Sequence, residues 1–82
     1  MGLPISVKKI EEAQNYLLYA FGPPDASVGR VRLYKSTGDI ELASLSSPDD
    51  GPDERYYLAH AVPRLRSYHE RDSYPSLDRW EV

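Results

Sequence analysis

Eighty-two residues with no cysteine and a formal net charge of −3 describe one small domain and exclude both a disulfide framework and a thiolate zinc site. A chain of this size buries only about 60–65% of its unfolded surface, so a tight core or a second copy has to supply the rest of its stability. The acidic balance speaks against a general nucleic-acid or membrane binder, although the charge is uneven: residues 46–82 carry eight acids against five arginines.

Ser6 reads as an N-cap, with Ile5 and Ile10 at the staple positions before and inside a helix. From Val7 the apolar residues Val7, Ile10, Ala13, Leu17, Leu18, Ala20 and Phe21 fall on one arc at helical spacing. Gly22 and Pro23-Pro24 follow as a stop. The pattern predicts a helix over 7–21, with Lys8 and Glu12 spaced as an i,i+4 pair and Tyr16 and Tyr19 on the polar side. Arg30 to Lys35 alternates, as does Ile40 to Leu45, and Gly38 lies between them. This predicts a β-hairpin at 30–45 in which Arg32 and Glu41 face each other. Residues 46–53 (SSPDDGPD) form an acidic, turn-rich loop ending in a candidate cap, Asp53.

The stretch 54–72 reads as the chain's organising helix, with Tyr57, Leu58, Ala61, Val62, Leu65 and Tyr68 on one arc and Pro63 towards solvent. The competing reading makes 55–62 a third strand, with Pro63 opening a shorter helix. The tail 73–82 is expected to form a turn that docks Leu77 and Trp80 at i,i+3. The fold class expected is α+β: an N-terminal helix and a second helix on one face of a hairpin, closed by that turn. Its expected core is Ile10, Leu17, Phe21, Val31, Leu33, Ile40, Leu42, Leu58, Val62 and Leu65.

No catalytic constellation or phosphate-cradling glycine loop is legible, and His60 and His69, nine apart on a helix, point in nearly opposite directions. The acidic run at 49–54 lacks the ligand spacing of a calcium loop. The expectation is therefore a non-enzymatic protein without cofactor or metal. It acts through protein contacts as a homodimer, or on another protein, with Tyr16, Tyr19, Tyr57, His60, Arg64, Arg71 and Trp80 as candidate contact residues. The alternative is a dimeric nucleic-acid-binding regulator. It uses an arginine ridge, Arg64 and Arg71 with Arg66, on the second helix, together with Arg30, Arg32 and Lys35 of the hairpin. Its bland counterpart is that these arginines pair with neighbouring acids, Arg66 with Glu70 for one. No apolar run approaches the length of a membrane span and no signal peptide is legible, so a cytoplasmic location is expected.

Overall fold

The structure, a computed structural model, describes residues 4–24, 26–45 and 54–81. Its elements in chain order are β1 (Pro4–Glu12), β2 (Tyr16–Gly22), β3 (Gly29–Tyr34), β4 (Ile40–Leu45), α1 (Glu54–Arg71) and β5 (Leu77–Glu81). The five strands make one antiparallel sheet in the order β4-β3-β2-β1-β5. The first four form a meander. The chain then crosses one face of the sheet as α1 and returns at the far edge as β5, beside β1.

The expected helix over 7–21 is therefore two strands. Ser6, the expected N-cap, pairs with Gly22 across the ladder, and Glu12 pairs with Leu17. The chain reverses at Gln14–Asn15, where the Ala13 amide donates to the Tyr16 carbonyl at 2.8 Å. The β alternation is Ile5 and Val7 on β1, then Leu17, Tyr19 and Phe21 on β2, all fully buried. A bulge between Lys9 and Glu11 breaks that alternation and throws Ile10 out, 46% exposed. The expected C-terminal turn is the strand β5. Leu77 and Trp80, three apart, consequently point to opposite faces: Trp80, opposite Ile5, packs against the core, and Leu77 is exposed. The architecture is a five-stranded sheet with a single helix, not two helices on a hairpin.

The hairpin at 30–45 corresponds to β3 and β4, with Arg32 opposite Glu41. The helix at 54–72 corresponds to α1, which runs unbroken through Pro63 and removes the strand reading of 55–62. Pro63 is exposed, so the carbonyl it leaves unpaired one turn earlier, on the equally exposed Ala59, meets water. The acidic loop 46–53, its cap Asp53 and Val82 of the tail lie outside the described residues.

The core fills the space between α1 and the sheet. Tyr57, Ala61, Leu65 and Tyr68, spaced four, four and three along the helix, descend onto Ile5, Val7, Leu17, Tyr19, Phe21, Val31 and Leu33. Of the expected core, Leu17, Phe21, Val31, Leu33 and Leu65 are buried, and Ile40 and Leu58 pack partly against it. Val62 is half-buried, whereas Ile10 and Leu42 are exposed. Gly29 is there for space: a Cβ would sit 2.6 Å from the Phe21 ring and 2.9 Å from the Ser44 carbonyl. α1 ends in a Schellman motif. The Ser73 amide reaches the Tyr68 carbonyl and the Asp72 amide the His69 carbonyl, with Asp72 itself at φ 51°.

Candidate interaction surfaces

Strand parity divides the molecule's surfaces. Residues of one parity meet α1. Those of the other line a sheet face that the described residues leave open except at Gly22, over which the Ala26–Val28 backbone folds.

On the helix side, α1 is tied to β5 through Asp78. The Arg64 Nε donates to the Asp78 carboxylate at 2.7 Å, the Tyr68 hydroxyl donates to the same oxygen at 2.5 Å, and the Arg64 guanidinium lies 4.8 Å from the Trp80 ring centre. Partial burial opposes the charged form of Asp78, but the hydrogen bonds from Arg64 and Tyr68 outweigh it, so its pKa lies below the ordinary aspartate value. The same hydrogen bond to Asp78 raises the Arg64 pKa. Behind this cluster Tyr19 donates its hydroxyl to the Pro75 carbonyl at 2.8 Å, and burial pushes its pKa up to about 12.

These contacts account for most of the expected contact residues. Tyr19 and Tyr57 are core residues with no surface to offer. Tyr19 was expected on a polar helix side, and the strand turns it inward. Arg64 is engaged with Asp78 and with the Trp80 ring. Arg71 is exposed, its guanidinium bonded to the Ser67 carbonyl and hydroxyl. Arg64 and Arg71 do come together, with Tyr68, Ser73 and Asp78, around a cleft of about 270 Å³; Asp78 occupies the arginine side of it. His60 packs against Tyr56 with the rings tilted at 59° and 4.6 Å between their centres. His69 sits over the β3–β4 turn, its Nε2 within 3.1 Å of the Lys35 carbonyl and its ring against Gly38. Gly38 adopts φ 77° there, and a side chain would meet the imidazole.

The expected local pairs rearrange with the fold. Glu12 bonds Lys9 and Lys35, both at 3.0 Å, instead of Lys8, and the Lys9 hydrogen bond followed by that from Lys35 lowers its pKa. Arg66 and Glu70 line a cleft beside Thr37–Asp39 without pairing to each other. Among the described residues Lys8, Arg30, Arg66 and Arg79 form no ion pair.

The uncovered face carries Tyr16 opposite Tyr34, Leu18 opposite Arg32, and Ala20 between Lys8 and Arg30. Ser6 lies between Gly22 and Arg79. The Tyr16 and Tyr34 rings are 6.2 Å apart between centres, and Arg32 lies 5.9 Å from the centre of Tyr16. Arg32 also bonds Glu41 at 2.9 Å, which accepts from the Tyr34 hydroxyl as well. Sequence periodicity placed Tyr16, Arg30 and Arg32 at candidate sites but missed Lys8 and Arg79. Their membership depends on β1 and β5 being strands.

The two sheet edges differ in chemistry. β5 presents Asp78, Arg79 and Glu81 among five residues, whereas β4 (IELASL) has one charge, Glu41, already bonded to Arg32. Leu42 and Leu45 on β4 are 44% and 42% exposed. A bulge leaves Ala43 extra against β3, and Ile40, Leu42 and Leu45, opposite Leu33, Val31 and Gly29, share the helix side. Leu58 and Val62 of α1, half-buried, belong to the same helix stripe as Arg66, which lines the cleft at the β3–β4 turn. The β4 side of the molecule is therefore an apolar strip beside a strand edge that no described strand pairs.

Among the described residues no group of three or more histidine, aspartate or glutamate side chains is placed to hold a metal ion, and no helix is long and apolar enough to cross a membrane. Comparison of the chain with protein-family models, with curated proteins and with solved structures returned no match.

Proposed function

We propose that the protein is a small non-enzymatic interaction protein that works as a homodimer joined along β4. The observation that carries this reading is the chemistry of that edge. Strand edges exposed to water are normally blunted with charge or proline, because their unpaired N–H and C=O groups recruit other strands. β5 is blunted in this way. β4 combines a single neutralised charge with two leucines more than two-fifths exposed.

A two-fold pairing of β4 with a second copy fits its sequence. In the antiparallel register that sets Ile40 opposite Leu45 of the other copy, Glu41 meets Ser44 and Leu42 meets Ala43. No like charges oppose each other, and the leucines of both copies collect on the helix side next to Leu58 and Val62. The product is a continuous ten-stranded sheet with both helices on one side. Such an isologous contact closes on itself and leaves β5 at each outer end.

Light scattering coupled to size exclusion tests the reading. The wild-type chain is expected to elute at twice its 9.3 kDa mass at high micromolar concentration. Leu42→Glu and Leu45→Glu are expected to elute at the single-chain mass with unchanged circular dichroism, since both side chains lie outside the core. A monomeric wild type, or a dimer indifferent to both substitutions, removes the proposal.

A further inference from the structure

The uncovered sheet face has a polarity that the overall charge conceals. Of its acids, Glu11 and Glu41 lie in the row through Leu18 and Arg32, with Glu41 taken up by Arg32 and Tyr34, and Glu81 lies at the β5 end, two residues beyond Arg79. The next row, Ser44–Arg30–Ala20–Lys8–Leu77, holds two bases and no acid. The row after it, Gly22–Ser6–Arg79, adds a third base. Arg30, Lys8 and Arg79 thus run as a diagonal from β3 across β1 to β5, with Arg30 and Lys8 two strand spacings, about 10 Å, apart. Ala20 and Ser6 lie between them, small enough for a backbone to approach, while the Ala26–Val28 backbone covers Gly22 at the end of the track. A depression of about 140 Å³ lies here between Ser6, Lys8, Ala20 and Leu77 of the sheet and Pro24, Ala26 and Ser27 of the β2–β3 connection. Beyond Ala20, four residues or about 14 Å back along β2, stands the Tyr16–Tyr34 ring pair, half-exposed and flanked by Arg32.

We propose that this face binds single-stranded nucleic acid, its phosphates held along Arg30, Lys8 and Arg79 and its bases stacked on Tyr16 and Tyr34. Cations spaced along a groove with small residues beneath them suit a phosphodiester backbone, and exposed aromatic rings on an open sheet suit unpaired bases. An acidic protein segment would use the cations and leave the ring pair idle; a duplex would hide its bases from the rings. The site shares no residue with the β4 strip, so it stands or falls separately from the dimer.

Fluorescence anisotropy with a labelled twelve-nucleotide oligothymidylate, titrated with the full chain at 50 mM salt, tests it. Binding is expected to weaken with salt at a log–log slope near −2, as three phosphate contacts require. The Lys8→Ala/Arg30→Ala/Arg79→Ala variant is expected to bind at least tenfold more weakly with a flatter slope. Tyr16→Leu/Tyr34→Leu is expected to lose a comparable factor with the slope unchanged. All three bases are exposed and unpaired among the described residues, and circular dichroism is to check that both variants are folded. The proposal is overturned by absence of binding at low salt or by a triple variant that binds like wild type. It is equally overturned by a duplex or a polyglutamate peptide that competes as well as the single strand. Repeating the titration with Leu42→Glu separates the two readings, since a monomer retains the whole track.

Discussion

Asp78 shows how much a single side chain settles here. It holds β5 to α1 through Arg64 and Tyr68, and replacing it leaves the Tyr68 hydroxyl and the guanidinium with fewer partners. Asp78→Ala is expected to cost about 2 kcal/mol in urea unfolding, in the range for hydrogen bonds to a charged group. The pH dependence has a definite sign. The folded pKa of Asp78 is lowered, so its contribution is complete above the unfolded aspartate value near 4 and disappears as pH falls through the lower folded value. Urea midpoints measured from pH 6 down to pH 2 should decline in that window, and Asp78→Asn should flatten the decline; an unchanged slope would show that Asp78 is not its source. Asp72 points the other way. It occupies the left-handed position that glycine favours, at the negative end of the helix dipole. Asp72→Gly is expected to raise stability by about 1 kcal/mol, read from the same urea curves; a loss would mean that Asp72 makes a contact of value.

At the scale of elements, what was legible followed from how local the determining pattern is. α1 was readable because its buried set, Tyr57, Ala61, Leu65 and Tyr68, repeats at helical spacing without interruption. The hairpin was readable because Val31 and Leu33 alternate with Arg30 and Arg32 and Gly38 closes the turn. β1 and β2 were misread for a physical reason. The bulge at Ile10 and the run Glu11–Gln14 imitate a helical arc, whereas the signal that prevails, Ile5 and Val7 followed by Leu17, Tyr19 and Phe21, is bridged only by long-range pairing. β5 depends on pairing with β1 some seventy residues earlier, which no local spacing announces. The site suffered the same losses. Tyr16, Arg30 and Arg32 could be suspected, but Lys8 and Arg79 join them only in the assembled sheet, and Tyr19 left the candidate surface as soon as its segment became a strand. The packing of β2 on β3 gives its own prediction. Gly29→Ala pushes a methyl into the Phe21 ring and is expected to destabilise by about 1–3 kcal/mol through overpacking, whereas Gly29→Ala combined with Phe21→Leu should recover part of that loss. A neutral Gly29→Ala would mean that the ring moves aside without cost.

For the whole molecule, the unequal surfaces matter more than the net charge. Among the described residues one sheet face is packed against α1, one edge is guarded by charge, and the other edge is apolar and unguarded. Pairing two β4 edges answers the shortage of buried surface in so small a chain and joins two open faces into one. The absence of cysteine from the sequence makes the pairing directly measurable. In the proposed register residue 41 of one copy lies opposite residue 44 of the other, at the close cross-strand separation a disulfide spans. Glu41→Cys and Ser44→Cys chains, mixed and oxidised gently, should form the mixed disulfide dimer rapidly, while either chain alone should cross-link slowly. Equal cross-linking in all three samples, or none in the mixture, would contradict the β4 dimer.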